Sequence, residues 1–395
     1  MRILLYAGKG GVGKTSVAGA TGAVTARNGL RTLILSLDPA HSLSDVFDLD
    51  RPLMDKNGGL PIPVAERLWI QELDVHEEIG KHWGEVHRYL SVLLNASGLD
   101  GVLAEELAVL PGMEEVAALL YVNQYAREKT YDVIILDCAP TAESIRFISL
   151  PKTLEWYMQK VFRLERNLMR VMRPMARRIS DVPLPEDDYF TSIERLFEKL
   201  QGVDHLLTDP AATSVRLVTN LEKMVLRETQ RAFMFFSLHQ LTIDAVVLNR
   251  VFTEADGPFA RSWLQSQREY RQLAESYFHP TPCLEVPFYR CEVLGYGKLF
   301  ELGQALFAGR DPAALFSVRP PLEFTRLNGS HAVRIHLPFV QKSEIDLTKV
   351  GEELIIRMGN FKRNLILPRA FVPLAPQKAE LKGEHLTILF GERYE

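Results

Sequence analysis

The chain has 395 residues, of which 47% are hydrophobic and 24% charged, and this predicts a globular protein with more than one domain. The net charge of −4 gives no overall indication of a nucleic acid or an anionic membrane as a partner, and we expect no nucleic acid. Three cysteines without a CxxC pair, and no apolar run near the roughly 18 residues of a membrane span, predict a cytoplasmic protein.

Short apolar runs alternate with helical patterns through most of the chain. The runs that we predict to be strands are residues 2–8, 31–38, 131–137, 214–220, 243–250 and 282–288. The first begins at Arg2, which leaves no room for a signal peptide. Alternation of this kind predicts an α/β fold with a mostly parallel sheet and helices on both faces. Residues 75–130 and 151–207 carry more helix than crossovers require, and we predict that they form a helical insertion.

The pattern changes after the helix predicted at residues 297–309. Three prolines fall in "RDPAALFSVRPPLEF" and predict a linker at residues 313–323. Beyond it, apolar and polar residues alternate between turn residues, which predicts a small all-β sandwich at 324–395. We therefore expect an α/β domain at 1–312 that carries all the chemistry, and a β module that a cut after Pro312 would remove without loss of ligand binding.

The stretch "GKGGVGKTS" matches the phosphate-binding pattern G-x-x-x-x-G-K-[ST] between a strand and a helix, a context that a simple glycine-rich turn lacks. The residues concerned are Gly8, Lys9, Gly10, Gly11, Val12, Gly13, Lys14, Thr15 and Ser16. We expect Lys14 to reach the β- and γ-phosphates of ATP, and the Thr15 hydroxyl to ligate Mg²⁺. The pattern does not require Lys9, which is either a second functional lysine of a deviant Walker A loop or a solvated one.

Two aspartates follow predicted strands. Asp137 ends the run "YDVIILD", where a carboxylate can hold Mg²⁺ through a water or can cap a helix. Asp38 ends "RTLILSLD", at the edge of a parallel sheet where ligands usually bind. A carboxylate at Asp38 can orient or deprotonate an attacking water, or it can cap the turn that Pro39 begins.

Three stretches, "GKGGVGKTS", "DPAHSLSDVF" and "DCAPTAESIRF", resemble the ArsA-type ATPases, the family of arsenite-pump ATPases and tail-anchored-protein targeting ATPases. The resemblance covers about residues 1–310. It implies a homodimer that sandwiches two nucleotides, in which Lys9 reaches the phosphates of the partner subunit. It also implies that Asp38 is the catalytic residue of switch I and that Asp137 is the metal-site residue that opens switch II.

The same resemblance implies the adenine side of the site. "VVLNRV" places Asn249 where the family contacts adenine, and "VPFYRCEVLG" resembles a second adenine-side loop around Pro287 and Phe288.

The predicted function is ATP hydrolysis by a homodimer that couples nucleotide state to binding of a hydrophobic, membrane-destined client segment. An arsenite-efflux subunit is one alternative, although the cysteines Cys138, Cys283 and Cys291 are scattered and only one ATPase half is present. A positioning or partitioning ATPase that acts as a scaffold is another, although such proteins lack the "DPAHSLSDVF" pattern. Without a CxxC pair, we expect no zinc.

The tail "GEELIIRMGNFKRNLILPRAFVPLAPQKAELKGEHLTILF" resembles the α-crystallin domain of small heat-shock proteins. Its ending carries the pattern A-x-x-x-G-x-x-L through Ala379, Gly383 and Leu386. The resemblance implies that this module makes protein contacts and performs no chemistry.

Residues 154–179 have apolar side chains three and four positions apart, which predicts one face of a helix. This face carries Met158, Met172 and Met175, and arginines follow a second face. Three interpretations remain open: a core-facing helix with a solvated basic side, a methionine-rich groove for the apolar helix of a client, or a peripheral contact with an anionic membrane surface.

Overall fold

The computed structural model describes residues 1–38, 42–50, 57–73, 113–138, 147–151, 153–155, 158, 162, 187–253, 257–317, 321–327, 329–359 and 361–391. The chain divides into two compact units. The first comprises Met1–Ile3, Ala18–Leu206 and Val293–Gly303, and the second comprises Leu4–Val17, Leu207–Glu292 and Gln304–Glu395.

An eight-stranded sheet forms the framework, in the order β3-β4-β2-β5-β1-β6-β7-β8. Its strands are β1 (Arg2–Ala7), β2 (Thr32–Ser36), β3 (Ile62–Ala65), β4 (Leu68–Glu72), β5 (Val133–Asp137), β6 (Thr213–Asn220), β7 (Ile243–Val251) and β8 (Cys283–Pro287). Strand β2 pairs in parallel with β4 and β5, and β7 pairs in parallel with β6 and β8. Every residue of β2 and β5 is buried, which explains the apolar runs at residues 33–35 and 133–136 within them. The predicted mostly parallel α/β sheet is confirmed.

The helices of the described residues include α1 (Lys14–Arg27), α2 (Leu43–Val46), α3 (Met113–Glu128), α4 (Asp187–Leu200), α5 (Val203–Thr208), α6 (Lys223–Leu238), α7 (Gly257–Phe278) and α8 (Gly295–Phe307). Helix α1 is rich in small residues because its neighbours approach closely. A Cβ atom at Gly22 would overlap the side chain of Ile34, and one at Gly303 of α8 would overlap the carbonyl oxygen of Ala20. None of the described helices is both long and apolar enough to cross a membrane.

The hairpin of β3 and β4 was not predicted. It is antiparallel, with Ile62 opposite Ile70, and it adds an edge to the sheet. Of the predicted helical insertion, the described part includes α3, α4 and α5, and Asn123 of α3 donates to the carbonyl oxygen of Gln201 after α4 at 3.1 Å. The remainder of the insertion, including most of the predicted helix at 154–179, lies outside the described residues.

The C-terminal module consists of two antiparallel sheets, β14-β15-β10-β9 and β11-β12-β13. Their strands are β9 (Leu322–Leu327), β10 (Ser330–His336), β11 (Ile345–Val350), β12 (Glu353–Met358), β13 (Phe361–Ile366), β14 (Ala375–Lys382) and β15 (His385–Gly391). Alternate residues of both sheets enter one core, as with Ile335 and Ile356. The predicted all-β module is confirmed. Its core also includes Leu238, the last residue of α6.

Candidate functional site

The loop between β1 and α1 requires glycine at two positions for steric reasons. A Cβ atom at Gly8 would overlap the carbonyl oxygen of Val218 in β6. Gly13 has a φ of +93°, and a Cβ atom there would overlap the side-chain amide of Asn249. These close approaches hold the loop against the ends of two strands. Its backbone N–H groups then precede the N-terminus of α1, which is the arrangement that binds phosphate.

Lys14 begins α1 and is only 6% exposed. Its ammonium donates to the carbonyl oxygen of Lys9 at 3.2 Å, so the side chain folds back across its own loop. Thr15 follows in the first turn of α1 and is half-buried. This lysine and this hydroxyl therefore lie at the start of α1, directly after the loop, and their contacts with phosphate and Mg²⁺ remain predictions.

Lys9 takes a different direction from Lys14. Its side chain is 36% exposed, and its ammonium lies 3.9 Å from the carboxylate of Glu228 on α6. The loop therefore presents one lysine to its own cradle and directs the other toward the neighbouring helix.

Asn249 braces the phosphate loop from the sheet. It stands at the end of β7, in register with Asn220 of β6, and is 6% exposed. Its Nδ2 donates to the carbonyl oxygen of Val12 at 2.7 Å, and its Oδ1 accepts the N–H of Arg250 at 2.9 Å. The expected adenine contact remains a prediction, and the loop contact is an additional role that the sequence alone did not indicate.

Two aromatic rings lie beside the ends of β7 and β8. Phe288, directly after Pro287, is 50% exposed, and its ring stacks on Phe252 with centroids 5.1 Å apart. Gln267 of α7 fixes Phe252 by accepting its N–H at 2.8 Å. Phe288 was predicted for this region, whereas Phe252 and Gln267 were missed. A flat, partly exposed pair of rings is a suitable surface for a heteroaromatic base.

The carboxyl ends of β4, β2 and β5 form a row. Ser36 of β2 is in register with Glu72 of β4 on one side and with Asp137 of β5 on the other. Asp137 is 2% exposed. Asp38 follows β2 and is half-buried, and its backbone N–H donates to the hydroxyl of Ser36 at 3.3 Å.

The alternative that Asp38 caps the turn beginning at Pro39 falls on residues 39–41, which lie outside the described residues. Helix α2 begins at Leu43, and Ser42 holds its N-cap position, so Asp38 does not cap this helix. Residues 39–41 and 139–146, which complete the two predicted switch segments, lie outside the described residues.

Glu72 organises the segment that follows Asp38, and sequence reasoning missed it. This carboxylate is 3% exposed and accepts two bonds from Ser44 of α2, one from the backbone N–H at 3.0 Å and one from the hydroxyl at 2.8 Å. The contact joins residues 28 positions apart, so local pattern gives no signal for it.

The three cysteines occupy dissimilar environments. Cys138 is buried, and its thiol donates to the carbonyl oxygen of Leu136 at 3.8 Å. Burial, followed by the nearby carboxylates Glu275 and Glu285, raises the pKa of Cys283 to about 12. Cys291 is exposed. The thiol of Cys283 is therefore protonated at neutral pH and is a weak nucleophile.

The sequence pattern of the family described as "Anion-transporting ATPase" matches residues 1–308 of this chain. The chain belongs to the ArsA ATPase family. A second pattern, described as an HSP20-like domain found in ArsA proteins, matches residues 328–390. The protein is thus an ArsA-family ATPase whose all-β module is HSP20-like, as the sequence predicted.

Two of the similar proteins match almost the whole chain, and a third matches 78% of it. "Putative arsenical pump-driving ATPase 1" of Aquifex aeolicus is 45% identical over 99% of this chain and 100% of its own length. "Putative arsenical pump-driving ATPase" of Chlorobaculum tepidum is 34% identical over 99% of this chain and 96% of its own length. "ATPase ASNA1 homolog" of Trypanosoma cruzi is 26% identical over 78% of this chain and 91% of its own.

Proposed function

We propose that this ArsA-family ATPase hydrolyses Mg-ATP as a cytoplasmic homodimer and couples its nucleotide state to binding of hydrophobic protein segments. The observation that carries the homodimer is the divergence of the two loop lysines. Lys14 folds across its own loop, whereas Lys9 is 36% exposed and directed toward Glu228. An exposed lysine at the edge of a phosphate loop is suitably placed to serve the phosphates of a second subunit. Cationic groups supplied in this way accelerate hydrolysis by about 10³–10⁵ in other NTPases.

A mixing experiment tests the supply of Lys9 in trans. Lys9→Ala and Lys14→Ala chains should each be nearly inactive alone, because the first lacks the trans lysine and the second lacks the loop lysine. In their heterodimer, one composite site keeps Lys14 from one subunit and Lys9 from the other, so a portion of the activity should return. Lys223→Ala, at an exposed lysine that begins α6, is the matched control and should retain full activity. Verified heterodimers without any recovery would exclude action in trans.

The donor chemistry of the site fits Mg²⁺. The Thr15 hydroxyl and the Asp137 carboxylate are hard oxygen donors, which this ion prefers. We propose that Thr15 ligates it and that Asp137 holds it through water. When bound, Mg²⁺ neutralises charge that develops on the phosphates. The role of Asp38 is to orient or deprotonate the attacking water.

Client binding is supported by the HSP20-like module and by the resemblance to targeting ATPases. This module has solvent-exposed apolar side chains, such as Val350 of β11 at 60% and Ile366 of β13 at 59%. We propose that the client is an apolar helical segment and that any membrane contact is peripheral. A fluorescent apolar peptide of membrane-span length should bind differently to ATP-locked Asp38→Asn protein and to the ADP state. A scrambled polar peptide of equal length is the control, and equal binding in both states would contradict coupling.

The names of two relatives favour a second candidate, a subunit that drives an arsenical pump. The state of the thiols argues against it, because Cys138 is buried and Cys283 is held protonated. Arsenite should therefore leave the rate of ATP hydrolysis unchanged. Stimulation by arsenite that a Cys283→Ser substitution abolishes would favour the pump instead.

A further inference from the structure

The first half of helix α6 contacts the phosphate loop and strand β6. Glu228 lies 3.9 Å from the ammonium of Lys9. The next residue, Thr229, is 2% exposed and donates its hydroxyl to that of Thr219 in β6 at 2.8 Å. Because Thr219 directly follows Val218, whose carbonyl oxygen lies against Gly8, the same strand supports the phosphate loop. The strand that supports the phosphate loop therefore also fixes the position of Glu228.

The second half of α6 is fixed to the HSP20-like module. Leu238 is part of the core of the module, and the ring of Phe235 packs on Phe361 of β13 with centroids 5.7 Å apart. Directly after the helix, Nδ1 of His239 accepts a hydrogen bond of 3.0 Å from the guanidinium of Arg363. His239 is 6% exposed and Arg363 is 5% exposed, so this contact is inside the protein.

A third contact comes from the loop after β10. Phe339 packs edge-on against Phe233 of α6 and against Phe278 at the end of α7, with centroids 6.2 Å and 6.1 Å away. Its backbone has a φ of +71°, a strained conformation for a residue with a side chain. The module is thus attached to α6 by core packing, by a buried polar contact and by this aromatic residue.

We propose that Glu228 is a positioning residue whose ion pair keeps Lys9 away from nucleotide in the resting subunit. The HSP20-like module controls this ion pair because it fixes the position of α6. The proposal rests on the function of Lys9 in trans. The two ends of the connection, Glu228 and Leu238, are ten residues apart, or about 15 Å along a helix. Both residues belong to one continuous helix, so a movement of one end can displace the other. A partly exposed ion pair is weak enough for ATP phosphates to displace it.

Glu228→Gln tests the ion pair with Lys9, because it removes the charge of the side chain and keeps its size and shape. Released Lys9 should favour assembly of the active dimer, so the protein concentration that gives half-maximal ATPase activity should fall about two- to fivefold, the range for one exposed ion pair. The maximal rate should not change, and the effect should shrink in high salt. Glu222→Gln, at the exposed N-cap of α6, is the matched control.

The outcomes separate this proposal from the proposed function. If Lys9→Ala and Lys14→Ala chains complement each other but Glu228→Gln behaves like Glu222→Gln, the restraint of Lys9 by Glu228 is refuted. The action of Lys9 in trans then stands. If the chains do not complement each other, the function of Lys9 itself is refuted.

A double-mutant cycle tests the link to the module. Phe339→Ala should loosen the attachment of α6 and lower the half-maximal protein concentration in the parent, but it should have no further effect in the Glu228→Gln background. Phe339 is 36% exposed, so its truncation is compatible with folding, and His239→Gln tests the same attachment independently. Leu327→Ala, at a residue of the module that is 41% exposed, is the control. Equal shifts in both backgrounds would refute transmission through Glu228.

Discussion

Asn249, at the end of β7, donates a 2.7 Å hydrogen bond from its side-chain amide to the carbonyl oxygen of Val12 in the phosphate loop. The two residues are 237 positions apart, so the fold brings them together. Asn249 also occupies the space beside Gly13 that a Cβ atom would need. The loop is therefore held in shape by the sheet before nucleotide binds, which lowers the entropy cost of binding.

Replacement of Asn249 by Asp should weaken nucleotide binding about tenfold or more, because a carboxylate cannot donate to Val12 and leaves a buried carbonyl unsatisfied. Fluorescence titrations with ATP, GTP and pyrophosphate check this. If Asn249 acts by supporting the loop, the loss of affinity should be similar for all three ligands. A loss confined to ATP would instead assign Asn249 to recognition of adenine.

Asp38→Asn should preserve ATP affinity and reduce the rate of hydrolysis by about 10² or more, because only the carboxylate that acts on water is changed. Nucleotide titration and phosphate release measure the two quantities separately. Asp45→Asn, at an exposed aspartate of α2, is the matched control. Hydrolysis at the parental rate in Asp38→Asn would show that Asp38 only shapes the turn after β2.

Features of the site that depend on local sequence were predictable. The phosphate loop has a fixed spacing, and strands β2 and β5 contain the apolar runs 33–35 and 133–136 because the sheet buries both of their faces. Strand β3 was missed because its four residues contain a proline and none of them is fully buried. A short edge strand of this kind has no periodic signal.

Contacts between distant segments could not be predicted. The bond between Ser44 and Glu72, and the pairing of His239 with Arg363, join residues 28 and 124 positions apart. Both depend on how the elements pack, which no local pattern encodes. For the same reason the sequence indicated an independent C-terminal module, whereas the structure shows a module whose core includes Leu238 of α6.

Among the cysteines, we expect Cys291 to react first with a maleimide reagent at pH 8. It is exposed, whereas burial raises the pKa of Cys283 to about 12 and leaves almost no thiolate at that pH. Mass spectrometry of the folded protein locates the label. Cys291→Ser should then remain nearly unlabelled until the protein is denatured, and rapid labelling of Cys283 would contradict its burial.

The stability contributed by Asp132 should depend on acid pH. The guanidinium of Arg31, and then its backbone N–H, hold the pKa of Asp132 at about 2, below its ordinary value of 3.8. A lowered folded-state pKa means that the stabilisation is present above 3.8 and is lost as the pH falls toward 2. Asp132→Asn should therefore lower the unfolding temperature by a few degrees at pH 7 and by almost nothing at pH 2. Both side chains are more than a third exposed, so the effect is modest.

Asp346→Asn, at an exposed aspartate of β11, is the control for this pH series. A difference between Asp132→Asn and the parent that persists unchanged to pH 2 would contradict the ion pair as its cause.

The segment after α8 covers a buried ion pair. Arg216 and Asp244 are both 0% exposed, with Nε and Oδ1 3.1 Å apart. The guanidinium also donates to the carbonyl oxygen of Ala314 at 3.1 Å and lies 4.6 Å from the ring centroid of Phe316. Part of the region predicted to be a linker therefore shields a charged pair in the core.

Two truncated chains test whether residues 313–317 shield the ion pair of Arg216 and Asp244. They also test the division of the chain into domains. A chain that ends at Pro312 loses Ala314, Phe316 and the module, whereas one that ends at Ser317 loses only the module and keeps the cover over Arg216. Both should unfold at lower temperature than the full chain, because removal of the module exposes Leu238 and its neighbours on α6. The shorter chain should unfold several degrees below the longer one, since water reaches a charge pair whose disruption can cost about 3–5 kcal/mol.

The longer chain should still bind ATP, because the loop and Asn249 remain. Calorimetry and nucleotide titration measure both effects, and equal unfolding temperatures for the two truncated chains would show that residues 313–317 do not protect Arg216.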